Sequence, residues 1–287
     1  MSEEIQSSTH RAENSTVEVK SKATADRDRF VEINDLTKVY DPQGDAVTAI
    51  DDLDLYIEEG EFVTLLGPSG CGKSTLLECL AGYLEPTDGE VHIEDSRVTE
   101  PGADRGVVFQ ENRLFPWKTI RENIQFGPNV RDDAEPDPER VEYLLEKTGL
   151  QGHEDDYPDE LSGGMQQRAE LCRLLANNPK IMLMDEPFSA LDAMTKELMQ
   201  EMLLDIWDEE DRTVFFVTHD VEEAIFLADR VVVMTARPGE VKGVIDVDLD
   251  RPRDYDDLTT DKFTEYKRTA LDLIHDEAEE AMEQGEA

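Results

Sequence analysis

One loop constrains the fold more than any other stretch. Gly67-Pro-Ser-Gly-Cys-Gly-Lys-Ser-Thr75 follows directly on Phe62-Val63-Thr64-Leu65-Leu66. A run that apolar reads as a strand buried on both faces, as in a parallel sheet. Glycine lets the main chain approach a ligand closely, so the stretch Gly67, Pro68, Ser69, Gly70, Cys71, Gly72 is expected to wrap a phosphate chain with its backbone. Lys73 is placed to neutralise the outer phosphates, and the hydroxyl-bearing pair Ser74 and Thr75 follows it, Ser74 being the expected Mg²⁺ ligand. A helix starting near Gly72 would aim its positive end at the same anion. A glycine-rich turn with a stray lysine is the plain alternative, and the buried strand before it argues against that.

Composition bounds the rest. The chain has 287 residues and a net charge of −41, from 69 Asp and Glu against 28 Lys and Arg. Such charge points either to disorder or to a protein suited to a very salty cytoplasm. The apolar runs in the middle of the chain favour the halophilic reading. The acidity argues against general nucleic-acid binding, which needs a basic footprint. Three cysteines, Cys71, Cys79 and Cys172, have no paired spacing and suggest a reducing compartment without a zinc site. Cys71 reads as a small filler of the loop. No apolar run approaches a bilayer-spanning length and the N-terminus has no secretory pattern, so an intracellular protein is expected.

Along the chain, residues 1–28 are polar and read as a disordered tail. Short alternating runs from Phe30 to Ile57 predict antiparallel strands. A helix is expected from Ser74 to Ala81, and strands at Val91–Ile93 and Gly106–Gln110. About 111–161 the pattern becomes helical and proline-broken, an inserted helical subdomain. A helix from about Gly164 to Ala176, a strand Ile181–Met184, a helix about Ala193–Glu209 and a strand Val214–Val217 follow. After them come a helix Val221–Ala228 and a strand Val231–Met234. Strands alternating with helices imply a parallel sheet covered on both faces. The main domain is expected over 29–250, with 251–287 a C-terminal helical tail.

Two further motifs carry chemistry. Ile181-Met182-Leu183-Met184-Asp185-Glu186 is a strand ending in adjacent carboxylates, at the sheet edge where the phosphate loop also opens. Asp185 is suited to hold Mg²⁺ and Glu186 to act as general base on a water. An acidic turn after a strand is the bland reading. Leu161-Ser162-Gly163-Gly164-Met165-Gln166-Gln167-Arg168 opens a helix with a serine and two glycines. Ser162 is either an ordinary N-cap or, with Gly163 and Gly164, a second anion cradle.

In this order the motifs resemble the ATP-hydrolysing subunit of an ABC transporter. Leu161-Ser162-Gly163-Gly164 resembles the family signature, Gln110 the Q-loop, Ser189-Ala190-Leu191-Asp192 the D-loop and Thr218-His219-Asp220 the H-loop. Tyr40 resembles the aromatic that stacks on adenine. The match spans about residues 30–245. Met165 stands where many members carry glutamine, a variant found in anion importers of the family. The resemblance implies an α/β P-loop NTPase fold, with a parallel core sheet, an antiparallel β subdomain and an inserted helical subdomain. It implies a head-to-tail homodimer binding ATP and Mg²⁺, each nucleotide held by the Lys73 loop of one copy and the Ser162 helix of the other, with Asp192 near the bound nucleotide. Gln110 would contact Mg²⁺ and the attacking water, and His219 the terminal phosphate. Two integral-membrane permease subunits would be partners, docked between the two subdomains, with an extracytoplasmic solute-binding protein acting indirectly. The subunit would then sit peripherally on the cytoplasmic face of the membrane.

Leu114-Phe115-Pro116-Trp117, Asp185–Thr195, Glu222–Phe226 and Arg251-Pro252-Arg253-Asp254 resemble importers of nitrate, sulfonate, taurine or bicarbonate. An ABC exporter and a thiamine-precursor importer are the alternatives. A DNA-repair member would need a long coiled coil between Thr75 and Leu161, and a translation-factor type would need two nucleotide domains in one chain.

Overall fold

The computed structural model describes residues 17, 19–20, 29–41, 44–131 and 137–283. Most of the expected N-terminal tail therefore lies outside the described residues.

Five strands form the parallel centre of a seven-stranded sheet. They are β4 (Phe62–Leu66), β7 (Arg105–Val108), β8 (Ile181–Asp185), β9 (Thr213–Thr218) and β10 (Arg230–Met234). Their order is β10-β4-β9-β8-β7, and β11 (Val241–Asp246) and β1 (Val19–Lys20) extend the sheet antiparallel beyond β10. Every side chain of β4, β9 and β10 is buried, as the continuous apolar runs predict for strands covered on both faces.

Alternate residues of these strands feed two separate cores. Phe62, Met184 and Phe216 face a core with α4 (Gly163–Ala176), α5 (Ala193–Glu210), α6 (Val221–Leu227) and α7 (Asp261–Glu283). Val63, Leu183 and Phe215 face the other core, shared with α1 (Lys73–Ala81) and a four-stranded antiparallel sheet. That sheet has the order β3-β2-β5-β6, built from β2 (Arg29–Tyr40), β3 (Val47–Glu58), β5 (Asp88–Ile93) and β6 (Ser96–Arg97).

The helical insert comprises α2 (Ile120–Val130), α3 (Pro138–Lys147) and a 3-10 turn at Pro158–Glu160, packed on α4. Fully buried Asn123 pins the loop before α2: its Oδ1 accepts from Phe115 N at 2.7 Å, and its Nδ2 donates to the carbonyls of Phe115, Lys118 and Thr119.

Two features differ from the sequence reading, and the expected C-terminal helix has a further role. Strand β7 ends at Val108, so Phe109 and Gln110 leave the sheet before the insert. Val19–Lys20 lies inside the stretch expected to be tail, yet pairs with Val244 and Ile245 of β11. The C-terminal helix packs into the main core through Phe263, Tyr266 and Ala270.

Candidate functional site

The loop between β4 and α1 leaves a helix N-terminus open. Helices α2 to α6 all carry a side-chain N-cap: Thr119, Asp137, Ser162, Asp192 and Asp220. Helix α1 is preceded by Gly72 and has no side-chain cap. A chain this rich in acidic caps that leaves one buried helix uncapped exposes its N–H groups and positive dipole end to an anion. Gly72 is required there, because its φ is +99° and a Cβ would stand 2.8 Å from Ala49 O. Lys73 is 6% exposed and folds back over the loop, donating to Gly67 O at 2.8 Å and Pro68 O at 3.0 Å. An ammonium has three donors, so Lys73 is held in the loop with one still to place. Cys71 is buried and its thiol is pushed up by desolvation, which makes it the inert filler expected.

Asp185 ends β8 beside this loop. Burial raises its pKa, while a hydrogen bond from the Ser74 hydroxyl and the charge of Lys73 pull it down. Glu186, next in sequence, has φ +45°, a strained value for a side-chain-bearing residue. Its main chain is fixed by Glu186 N donating to Val217 O at 2.9 Å. Its carboxylate Oε2 stands 2.8 Å from His219 Nδ1. Ser189 Oγ donates to Glu186 O at 2.9 Å, and Gln110 Nε2 lies 3.5 Å from the same Oγ. Tyr40 stands at the rim, 39% exposed, with its hydroxyl 3.4 Å from Thr75 Oγ1. One edge of the sheet thus gathers the loop from Gly67 to Thr75 with Tyr40, Gln110, Asp185, Glu186 and His219.

The remaining residues gather elsewhere. Ser162 accepts from Met165 N at 3.4 Å, and Gly163 is exposed with open space where a Cβ would be. Gly164 packs on Thr195, since a Cβ there would meet Thr195 Cγ2 at 2.6 Å. Asp192 spends both oxygens on Thr195, from N at 3.1 Å and Oγ1 at 2.7 Å, and these bonds lower its pKa. Met165 packs partly buried against the core. Among the described residues, no hydrogen bond or ion pair joins this cluster to the Gly67–Thr75 loop. The Ser162 helix and the Gly67–Thr75 loop are thus separate clusters within one chain.

The sequence reading missed the support behind the loop. After β10 the chain turns through Arg237-Pro238-Gly239, where Gly239 N donates to Ala49 O at 2.9 Å. A Cβ on Gly239 would meet Cys71 O at 2.1 Å, so this turn presses directly on the phosphate loop. Arg237 Nη2 approaches Gly70 O at 3.5 Å. The Arg-Pro-Gly triplet is a readable turn signal, but its contact partner is not.

The profile of the ABC transporter family matches residues 50–189. A protein from Methanocaldococcus jannaschii, named "Uncharacterized ABC transporter ATP-binding protein MJ0412", is 49% identical over 257 residues, covering 88% of this chain and 94% of that one. The chain belongs to the ABC transporter ATP-binding family. As an ABC ATPase it hydrolyses ATP in the service of transport, and family members bind ATP, generally with Mg²⁺. A protein from Bacillus thuringiensis, named "Aliphatic sulfonates import ATP-binding protein SsuB", is 45% identical over 223 residues, 78% of this chain and 88% of its own. The dimeric, ADP- and Pi-bound ATP-binding cassette MJ0796 superposes with a TM-score of 0.68 at 33% identity, covering 77% of this chain and all of that one. The two-core α/β architecture is that of an ABC ATPase. No helix among the described residues is long and apolar enough to cross a membrane.

The residues present fit a magnesium nucleotide. Among the described residues no cluster of three or more His, Cys, Asp or Glu forms a metal cage. Mg²⁺ is usually held by one or two carboxylates together with substrate phosphates, and Ser74 with Asp185 is such an oxygen set.

Proposed function

We propose that this ABC ATPase powers an importer for a small solute, with an aliphatic sulfonate the first candidate and nitrate or taurine close behind. The observation that carries the catalytic part is the uncapped start of α1, which carries Ser74, set beside Asp185, Glu186 and His219 at one sheet edge. The relatives named for aliphatic sulfonate import, from two Bacillus species among others, support the solute class.

In this reading the N–H groups from Gly67 to Thr75 hold the phosphates, and Lys73 exchanges its bonds to Gly67 O and Pro68 O for phosphate oxygens. Ser74 and Asp185 hold Mg²⁺, which when bound neutralises charge on the outer phosphates. Glu186 takes the proton of the attacking water. His219 holds Glu186 and donates toward the terminal phosphate, and Gln110 orients the water from the Ser189 side. Tyr40 stacks on the adenine, a contact of about 1–3 kcal/mol. Ser162, Gly163 and Gly164, with Asp192, complete the site of a second copy. The two separate clusters within one chain, and the dimeric solved relative, support that arrangement.

The permease subunits would dock where β7, α4 and the helical insert enclose a cavity of about 450 Å³. Arg105, Arg113 and Arg173 line it beside Phe109 and Phe115. Arg173 pairs with Glu170 and Arg105 lies beside Asp104, yet arginines outnumber acids along this lining in a chain of net charge −41, which favours an acidic permease segment. That docking places the subunit on the cytoplasmic face of the membrane, with a solute-binding protein acting from the other side. Copurification with the permease and uptake by reconstituted vesicles test this. ATP-dependent uptake of a sulfonate, nitrate or taurine is expected. Efflux instead of uptake, or uptake of a thiamine precursor alone, would overturn it.

A further inference from the structure

His219 owes its direction to the main chain around it. Its ring is 58% exposed, and among the described residues its one bonded partner is Glu186. The turn that carries it is tied to one buried carboxylate, directly through Thr218 and by way of Lys196 on the Asp220 side. Thr218, closing β9, donates its hydroxyl to Glu223 Oε2 and accepts from Asp220 N at 3.0 Å. Asp220 caps α6 by accepting from Glu222 N and Glu223 N, and its other oxygen takes Lys196 Nζ at 2.7 Å. The same Lys196 Nζ lies 3.1 Å from Glu223 Oε1, which also accepts from Gln200 Nε2 at 2.8 Å. Glu223 therefore has both oxygens engaged and its charge answered, at 5% exposure.

Two connections lead out of this hub. Lys196 and Gln200 stand one turn apart on α5, which starts just after Ser189, the residue whose hydroxyl holds Glu186 O. The run from Ser189 into α5 thus links the backbone of Glu186 to the turn carrying His219. The second connection is Tyr255, in the 3-10 turn Tyr255–Thr259 of the C-terminal segment. It donates its hydroxyl to Gln200 Oε1 and packs its ring 5.0 Å from Phe226 of α6. An apolar cluster between α5 and α6 would pack at least as stably as a buried ion pair. The polar set adds direction, since each member has a fixed donor or acceptor.

We propose that Glu223 is a positioning residue for His219, and that Tyr255, through Gln200, ties the C-terminal segment to that positioning. The inference rests on the roles given to Glu186 and His219 under the proposed function. The C-terminal segment then sets the turnover rate without touching nucleotide.

The test is steady-state ATP hydrolysis by the full chain with Mg²⁺, comparing Tyr255→Phe, Glu223→Gln and the double variant. Tyr255→Phe removes one hydroxyl and should lower kcat about three- to tenfold, the worth of one hydrogen bond. KM for ATP should stay within about twofold, because the hydroxyl removed touches no nucleotide and the His219 contact is one beside the many that the Gly67–Thr75 loop makes to the phosphates. Glu223→Gln should lower kcat further, and the double variant should be no slower than Glu223→Gln alone. The His219 ring signals in ¹H–¹⁵N spectra should move in Tyr255→Phe. Unchanged kcat in both single variants, a rise in KM at constant kcat, or multiplied effects in the double variant would overturn the inference. Where Glu223→Gln does not fold, Tyr255→Phe decides alone, by kcat together with the His219 signals. His219→Ala and Glu186→Gln serve as controls. If either keeps full turnover, the reading of the site falls. If both lose turnover while Tyr255→Phe and Glu223→Gln are unaffected, only the positioning role falls.

Discussion

Asp185 carries its charge against its surroundings. Burial is the largest influence and raises its pKa, the neighbouring Glu186 adds to this, and Ser74 and Lys73 oppose it. A carboxyl whose folded pKa lies above its unfolded value binds its proton more tightly in the folded state. Stability then falls as pH rises from the ordinary value of 3.8 through the raised one. Above that window the nucleotide-free protein holds a destabilising charge at Asp185, ready for a cation. Asp185→Asn should raise the Tm of the nucleotide-free chain at pH 7. The difference should vanish below about pH 4, where Asp185 itself is protonated. The same variant should lose the extra Tm that Mg²⁺ adds to ATP. Calorimetry with and without Mg²⁺ checks both signs. Glu186→Gln should bind ATP normally and lose about 10²–10⁴-fold in kcat, the range for removing a general base. Retained turnover would dismiss Glu186 as the base.

At the scale of elements, the C-terminal segment is part of the ATPase core. Arg253 is 6% exposed and donates from Nη1 to the carbonyls of Ile225, Phe226 and Ala228, the open end of α6. Burial pulls its pKa down to about 10, with Arg251 adding to this, so it remains charged at neutral pH. Arg253→Ala leaves those carbonyls bare, which should remove about 2–3 kcal/mol of stability and lower Tm by roughly 5–10 °C. Arg253→Lys should recover only part, because an ammonium cannot match the planar fork. Thermal unfolding of the three chains measures this.

The parallel strands were legible because they are buried on both faces and read as unbroken apolar runs, Ile181–Met184 and Val214–Val217 among them. Strand β11 was not, because Gly243 interrupts it. A Cβ there would stand 2.9 Å from Val19 Cγ1 and 3.2 Å from Leu273 Cδ1, so the glycine answers contacts distant in sequence. The phosphate loop and the Asp185-Glu186 pair were legible as local motifs. The Gln110–Ser189 contact and the pressure of Gly239 on Cys71 join residues far apart in the chain, and no local pattern announces them. Ser162 looked like a cap or a cradle. The structure shows the cap, and only a second copy would make it a cradle.

Across the whole molecule, a net charge of −41 repels itself at every distance that salt leaves unscreened. The Debye length falls from about 10 Å at 0.1 M to about 3 Å at 1 M ionic strength. We propose on this ground that the protein is suited to a saline cytoplasm. Tm and ATPase activity should both climb between 0.1 M and molar KCl, by several degrees in Tm. A Tm independent of salt would refute this.

We propose the dimer as the unit of function, each site being completed by a second copy. Sedimentation of the Glu186→Gln chain with ATP and Mg²⁺ tests this most directly, with and without Ser162→Arg. The chain should sediment as a dimer only when ATP is present. Adding Ser162→Arg should return it to a monomer that still binds ATP with unchanged affinity. A dimer that survives Ser162→Arg, or no ATP-dependent dimer at all, would contradict a nucleotide held between the Lys73 loop of one copy and the Ser162 helix of another.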